Sequence, residues 1–449
     1  MVPVGMGQVP STKEKFTAQF VGAFLIFFCL YLVSPAMSVQ PFEIPSFSSG
    51  QRAKLQEKLK SPVFPHEFEQ NVGWTYGTPR WALEPMLQKW REEFDWETSK
   101  AEMDRWNHFK TEIDGANIHF VHERSKNPNA IPLVLLHGWP STFYEFHKVI
   151  EPLRDGVDNG QTFHIIVPSL PGYGFSDPPP VPGWGTKKIA AVLNTLMVRL
   201  GYTKYVAHGV DWGSMIVKVM AVLHNDNCKA IYTTLGICLP PLPTPSVLWS
   251  APIKVAKFMA SLALGSDRVY GQGKLRILGR SFADVERDRD AGYRAIQGTR
   301  PFTLSYGLSD SPVGLLAWIL EKYHGWTHHE GDKESAILPP TIDVNEFLTQ
   351  VHIYWMTNTI SSSLRLYYER INNEPDANDL MWKAITVPCG SGIFESELAK
   401  VPRDWLETWT NLVQFDEHPT GGHFSALEEP KLTVNDLQRF GKKIKKEVE

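Results

Sequence analysis

Between Ile113 and Thr234 the chain alternates short apolar or β-branched runs with stretches of helical periodicity. The runs are Ile118-Val121, Leu133-Leu136, His164-Val167, Tyr205-Ala207 and Ile231-Thr234. Each is followed by a turn signal and then by apolar residues at helical spacing, as in MIVKVMAVLH after Ser214. Short buried strands alternating with helices predict a mostly parallel α/β sheet. The proline-rich stretch Pro240 to Pro245 interrupts the alternation, and strand-like runs return only at Ile385-Val387 and Leu412-Phe415. The expected organisation is therefore an α/β core over residues 111–240 and 381–449, with a helical lid, 241–380, inserted between the halves. Residues 38–110 read as helix-rich and carry Trp74, Trp81, Trp90, Trp96 and Trp106. They are expected to form an N-terminal segment packed on the core.

The first 37 residues have a different pattern. Phe16 to Val33 carries no charge and, as a helix, would cover about 27 Å, enough for a hydrocarbon core. This predicts a single membrane anchor, residues 1–37, ahead of the folded domain. A cleaved signal peptide is the alternative, because Ser34-Pro35-Ala36-Met37-Ser38 offers small residues for cleavage. Lys13 and Lys15 precede the span and no positive charge follows before Arg52, which would leave the N-terminus cytosolic. The absence of any N-x-[ST] sequon points to the opposite topology.

Composition narrows the function. With 43% apolar and 21% charged residues over 449 positions, wholesale disorder is excluded. A net charge of −4 argues against a nucleic-acid partner. Four cysteines without CxxC spacing exclude a zinc ribbon, a redox dithiol and a disulfide framework. His324, His328 and His329 fit no zinc spacing and read as a solvated loop. Lys442, Lys443, Lys445 and Lys446 read as the solvated face of a last helix. Pro178-Pro179-Pro180 reads as a stiff loop.

The chemistry concentrates at three turns. Tyr205 to Ser214 runs from a strand into a helix through Gly209-Val210-Asp211-Trp212-Gly213. That is the spacing of the α/β-hydrolase nucleophile elbow with Asp in place of Ser, although Gly-x-Asp-x-Gly is also an ordinary helix cap. His137-Gly138-Trp139-Pro140 follows an earlier strand, where such folds place one oxyanion N–H; the residue after the nucleophile supplies the other. The candidates are the backbone amides of Trp139 and Trp212. Gly421-Gly422-His423-Phe424 follows the last strand, where the general base belongs. The acid that orients it is expected after Ile385-Val387, with Glu395 and Glu397 both eligible and Asp404 and Asp416 further candidates.

Together, HGWP, GxDWGS and GGHF resemble the epoxide hydrolases of the α/β-hydrolase superfamily, specifically the microsomal-type branch. WREEFDW at Trp90-Trp96, HFKT at His108-Thr111, PSLPGYGFS at Pro168-Ser176 and DSPVGL at Asp310-Leu315 agree. The likeness spans roughly residues 60–440. It implies Asp211 as nucleophile and His423 as base. It also implies Glu397, the fourth place of a Phe-x-x-acid pattern, as the orienting acid. The family often has Pro where Glu395 stands, so the loop departs from pattern there. Two lid tyrosines would donate to the epoxide oxygen: Tyr293, ahead of Ile296-Gln297-Gly298-Thr299-Arg300-Pro301, and Tyr367, with Tyr368 adjacent. The resemblance implies no cofactor and no metal. Its substrates would be a small lipophilic epoxide and water, and its location the membrane of the endoplasmic reticulum, with a detoxifying or hormone-degrading role.

The residue types suit that chemistry. A serine opening an epoxide would form an ether, whereas a carboxylate forms an ester that water can cleave. Phenols stay protonated near neutrality and can donate to the leaving alkoxide. Two rivals remain at this stage. A haloalkane dehalogenase would share the Asp elbow but use halide donors instead of paired phenols. A silent α/β-hydrolase acting as a binding protein would be expected to lack a triad member.

Overall fold

The computed structural model describes residues 38–236, 238–276, 291–376, 379–380 and 383–448. The expected membrane span, 16–33, lies outside them. Among the described residues no helix is long and apolar enough to cross a membrane.

Nine strands form one sheet: β1 (Gln40–Pro41), β2 (His108–Ile113), β3 (Ala116–Glu123), β4 (Ile131–Leu136), β5 (Phe163–Pro168), β6 (Tyr205–Gly209), β7 (Cys228–Thr233), β8 (Ile385–Ile393) and β9 (Thr410–Glu417). Their order is β1-β2-β3-β5-β4-β6-β7-β8-β9. The first three are antiparallel to their neighbours, and β5 through β9 run parallel. In β4, Leu133 and Leu135 join one buried cluster and Val134 and Leu136 the other. Side chains alternate across a strand, so a run that is apolar throughout lets both faces of the sheet be covered.

The helices complete the layers. α1 (Ser49–Lys60), α2 (Arg80–Glu92) and α3 (Trp96–Met103) come before the sheet proper. α4 (Ile150–Asp155), α5 (Thr186–Arg199) and α6 (Asp211–Leu223) connect its strands. Between β7 and β8 lie α7 (Pro245–Ser250), α8 (Pro252–Leu264), α9 (Gly292–Thr299), α10 (Pro301–Asp310), α11 (Pro312–Gly325), α12 (Val344–Thr357) and α13 (Ile360–Tyr368). α14 (Arg403–Trp409) and α15 (Pro430–Val448) close the chain. Ile216, Val217 and Met220 of α6 pack on one face of the sheet; Ile150 and Leu153 of α4, with Val434, Leu437, Phe440 and Ile444 of α15, pack on the other.

The N-terminal segment differs from its expected form. It supplies edge strand β1 and leads into β2; Ile44, Phe47, Trp96, Met103 and Trp106 join one buried cluster of the sheet, and Leu55, Leu59, Leu83, Met86, Leu87 and Trp90 join the other. α1 and α2 also pack on α11 of the insertion, and α3 packs on α12. The reason lies in the aromatic residues. The Trp90 indole N–H donates to His352 Nδ1 at 3.1 Å, and Trp74 stacks on His324 with ring centroids 3.6 Å apart. Thr78 Oγ1 donates to the Ala317 carbonyl at 2.8 Å. This packing also overturns the solvated reading of the histidine stretch: His324 is buried on α11, and His328 and His329 are half-buried.

Candidate active site

Strand order reverses at β4, which has β5 on one side and β6 on the other, and open α/β sheets bind ligands beyond the carboxyl ends of the strands at such a point. Asp211, Trp139, Glu397 and His423 all lie just past such ends, after β6, β4, β8 and β9 respectively.

Asp211 is the first residue of α6 and has φ +45°, a left-handed conformation rare for a residue with a side chain. Such strain costs about 1–3 kcal/mol and persists only where neighbours enforce it. The neighbours are glycines because nothing larger fits. A Cβ at Gly213 would stand 2.0 Å from the Leu136 carbonyl oxygen, and one at Gly209 2.3 Å from the Gly213 carbonyl. A Cβ at Gly138 would meet Asp211 Oδ1 at 2.1 Å. The elbow is therefore a close approach of three chain segments, and the carboxylate sits at a helix N-terminus, where the macrodipole favours negative charge.

The Trp139 N–H donates to Asp211 Oδ1 at 2.7 Å. The Trp212 N–H lies in the first turn of α6, where no intrahelical carbonyl can reach it. On the other carboxylate oxygen, His423 Nε2 stands 3.3 Å from Asp211 Oδ2. His423 Nδ1 and Glu397 Oε1 are 2.6 Å apart, and both side chains are fully buried. Burial alone would lower the imidazole pKa, but the charge of Glu397 and the adjoining Asp211 carry it well above its usual value.

The structure separates the candidate acids. Glu395 points outward toward Lys400, Asp404 pairs with Lys257, and Asp416 pairs with Arg439. Glu397 alone of the four sits on His423.

Across the site from Asp211 stand two tyrosines of the insertion. Tyr293 on α9 stacks on Trp139 with centroids 5.4 Å apart; Tyr367 on α13 meets Trp212 edge-on at 4.8 Å and Tyr293 at 5.8 Å. Burial raises both phenol pKa values, and the nearby Asp211 charge adds to the effect. The Tyr367 hydroxyl is buried without a hydrogen-bond partner. Nearby Tyr173 and Tyr354, by contrast, spend theirs on the Ser363 and Ser141 carbonyls. A buried hydroxyl with nothing to donate to is a donor available to a ligand. Tyr368 is half-buried and lines a separate surface cavity of about 520 Å³, with Pro179, Pro180, Phe302 and Arg365.

Three further residues had no sequence signal. Trp326 accepts the His423 backbone N–H at 2.9 Å and places its ring edge-on to the imidazole at 5.2 Å. Glu428 ties the histidine loop to the insertion by accepting from His328 N at 2.8 Å and Phe424 N at 3.3 Å. Burial pushes its pKa up to about 8 despite those donors. Glu145 is buried with Oε1 unpartnered; burial pushes its carboxyl up to about 8, and the Asp211 and Glu397 charges reinforce the shift. Glu145 stands five residues after Pro140, outside the HGWP motif, and nothing in the spacing reveals its burial. Among the described residues no group of three or more His, Cys, Asp or Glu could hold a metal ion.

Residues 39–146 match the family described as epoxide hydrolase N terminus, and residues 131–263 match the alpha/beta hydrolase fold. Epoxide hydrolase 1 of Sus scrofa is 32% identical over 90% of this chain and 88% of its own. Juvenile hormone epoxide hydrolase 1 of Ctenocephalides felis is 33% identical over 91% and 87%. Among solved structures, juvenile hormone epoxide hydrolase of the silkworm Bombyx mori aligns with a TM-score of 0.78 at 30% identity, covering 91% of this chain and 95% of that one. The Aspergillus niger epoxide hydrolase aligns at 0.70 and 31% identity, covering 91% and 97%.

Proposed function

The chain belongs to the epoxide hydrolase family and is an epoxide hydrolase of α/β-hydrolase fold, and on that premise we propose the roles of its residues. Asp211 Oδ2 attacks one epoxide carbon in line, and the C–O bond on that carbon breaks. Tyr293 and Tyr367 hydrogen-bond to the departing oxygen and one of them gives it a proton, so that it becomes the hydroxyl of a hydroxyalkyl ester and a tyrosinate remains. His423 Nε2 then takes a proton from water, and the oxygen of that water attacks the Asp211 carbonyl carbon. Negative charge collects on Oδ1, beside the amides of Trp139 and Trp212. Collapse breaks the ester C–O bond; the leaving oxygen takes the proton held by His423, and the proton of the regenerated Asp211 acid returns to the tyrosinate, which restores the carboxylate and releases the diol. Glu397 holds the imidazole and balances its charge.

The observation that carries this reading is the pairing of His423 with two carboxylates, Glu397 at 2.6 Å and Asp211 at 3.3 Å. In the resting enzyme both stabilise the imidazolium. Esterification of Asp211 removes one negative charge, so the imidazole pKa falls just when the ring must act as a base. A haloalkane dehalogenase has no use for phenols aimed at a leaving alkoxide, and the relatives named above are epoxide hydrolases. The decisive experiment is a single turnover with excess enzyme in ¹⁸O water. The first diol should carry the unlabelled Asp211 oxygen, and label should appear in the Asp211 carboxylate. Label in the diol alone would mean direct attack by water.

The substrate proposed is a lipophilic epoxide, in keeping with the aromatic walls formed by Trp139, Trp212 and Trp326. A panel of styrene-type, terpenoid and fatty-acid epoxides with diol detection resolves the class. We also propose that residues 16–33 anchor the enzyme in a membrane, that of the endoplasmic reticulum; the uncharged run supports this. Resistance to carbonate extraction is the expected result, and a mature N-terminus near Ser38 would overturn it.

A further inference from the structure

The insertion has two parts, and only one roofs the active site. α8 packs on α14, beside the β9 edge of the sheet, and α7 packs on α8, away from the roof formed by α9–α13. α8 buries Val255, Phe258 and Ser261, with Phe258 edge-on to Trp405 at 5.7 Å. The only charged side chains on the pair are Lys254 and Lys257. Both point inward: Lys254 pairs with Glu407 at 2.9 Å and Lys257 with Asp404 at 2.5 Å. The large side chains that α7 and α8 turn to the outside are apolar, with Ser246 and Ser250 of α7 exposed beside them and the paired Lys257 side chain 41% exposed. Trp249 is 90% exposed, Ile253 81%, Leu262 66% and Leu264 57%, with Leu248, Ala256, Met259 and Ala263 also exposed.

This reverses the ordinary arrangement of a surface helix. The last helix shows the ordinary one: α15 buries Val434, Leu437, Phe440 and Ile444 and exposes Lys442, Lys443 and Lys446. A protein partner would normally find about one hydrogen bond per 100–200 Å² of interface. From Ile253 to Leu264 every fully exposed residue is apolar, and the two lysines between them are held in ion pairs, so the face offers a partner few free polar side chains. Hydrocarbon needs none. An exposed Trp at the start of such a face is the side chain favoured at the boundary between lipid and water. The uncharged run at 16–33 is a second segment of the same chain suited to lipid.

We propose that the outward face of α7 and α8 dips into the surface of a phospholipid bilayer. The contact is separate from the proposed anchor. The anchor would leave the chain beside β1, at one edge of the sheet, whereas α8 sits at the β9 edge. With strands about 4.8 Å apart, nine of them hold two such contacts roughly 40 Å apart, which would fix the domain's orientation on the membrane.

The test uses the full chain with Cys29 and Cys238 replaced by serine. With the buried Cys228 and Cys389 left in place, one exposed cysteine at a time is introduced by Trp249→Cys, Leu264→Cys and, as a distant exposed control, Asn129→Cys, and labelled with an environment-sensitive fluorophore. Vesicles are phosphatidylcholine with or without nitroxide-labelled phosphatidylcholine. A face lying about 5–10 Å into the headgroup–acyl boundary predicts that emission at 249 and 264 falls by roughly half or more with nitroxide lipid, while 129 is unaffected. Sites 249 and 264 that stay open to aqueous iodide and unquenched by lipid would overturn the proposal. So would protection that exists without vesicles: rising with protein concentration it means a second copy covers the face, and independent of concentration it means residues 16–33 do. Equal lipid quenching at all three sites would overturn it as well. The anchor is read separately by carbonate extraction, and its failure leaves these signatures intact.

Discussion

The floor and the roof of the active site are built on opposite principles. On the floor, at the strand ends, the reactive groups are already paired: Asp211 Oδ1 with the Trp139 amide, and His423 with Glu397. On the roof, Tyr293 and Tyr367 are held by ring packing against Trp139, Trp212 and Trp326, and the Tyr367 hydroxyl donates to nothing. Lys322, itself buried, lies over the Tyr293 ring at 4.8 Å and ties that packing to α11. In the proposed mechanism the floor makes and breaks an ester, which calls for fixed charges. The roof in that mechanism recognises an oxygen that arrives with the substrate, which calls for donors kept free. The floor is anchored in the sheet, whereas the roof is clasped from outside by the N-terminal segment.

Changes at the floor should have the largest effects. Asp211→Ala removes the nucleophile, and turnover should fall by about 10⁴–10⁶ with no covalent adduct in a peptide digest. His423→Gln should separate the half-reactions. Turnover should fall by about 10²–10⁴, while an adduct of substrate mass accumulates on the Asp211 peptide. An unmodified peptide would mean that the base also sets up the first step, and the floor would then act as one unit.

The roof is expected to be weaker and divisible. Tyr367→Phe and Tyr293→Phe should each lower single-turnover ester formation by about 10²–10³ and leave ester hydrolysis nearly unchanged. Tyr368→Phe should fall within a few-fold of the parent, because that side chain faces the other cavity. A silent Tyr367→Phe with a crippled Tyr368→Phe would dissolve the contrast between floor and roof.

Two smaller tests concern what lies behind each surface. Glu145 sits behind the floor with its pKa raised to about 8. The folded state therefore holds more protons than the unfolded state from the ordinary carboxyl pKa up to about 8, and stability falls as pH rises through that window. Glu145→Gln should flatten this decline, read as melting temperature against pH; an unchanged slope would place the titration elsewhere. Trp90→Phe removes the hydrogen bond to His352 that clasps α2 to α12. It should cost about 1 kcal/mol in denaturant unfolding, with a KM change larger than the kcat change if the clasp sets the roof.

Much of this is legible in the sequence. The parallel strands, the inserted helices, the aspartate elbow and the late histidine were all readable, because each is encoded by local chemistry. Apolar runs bounded by turns mark strands, and glycines two residues either side of Asp211 mark a turn too tight for Cβ atoms. The antiparallel edge was missed at its start. β2 begins at His108, and its burial alternates too weakly to stand out from the helical segment before it. Trp90, Trp96 and Trp106 join the core, as expected of residues 38–110, but Trp74 and Trp90 find their ring partners on helices more than 200 residues away. Nothing in the local pattern says which distant surface an indole will meet.

What the sequence by itself determined is the set of chemical groups and the turns that display them: Asp211, His423, the amide-bearing loop at Gly138-Trp139, and a short list of acids and phenols. Tertiary structure decided among the neighbours on that list. Glu397 and Glu395 are the same residue type two positions apart, and Tyr367 and Tyr368 are adjacent, so local preference cannot separate them. In each case one member faces the site and the other faces outward or toward another cavity. That direction is set by how the loop after β8 meets β9 and how α13 lies on α9 and α10. Glu145 and Glu428 show the same physics. A carboxyl becomes unusual only when distant segments close over it and take its water away.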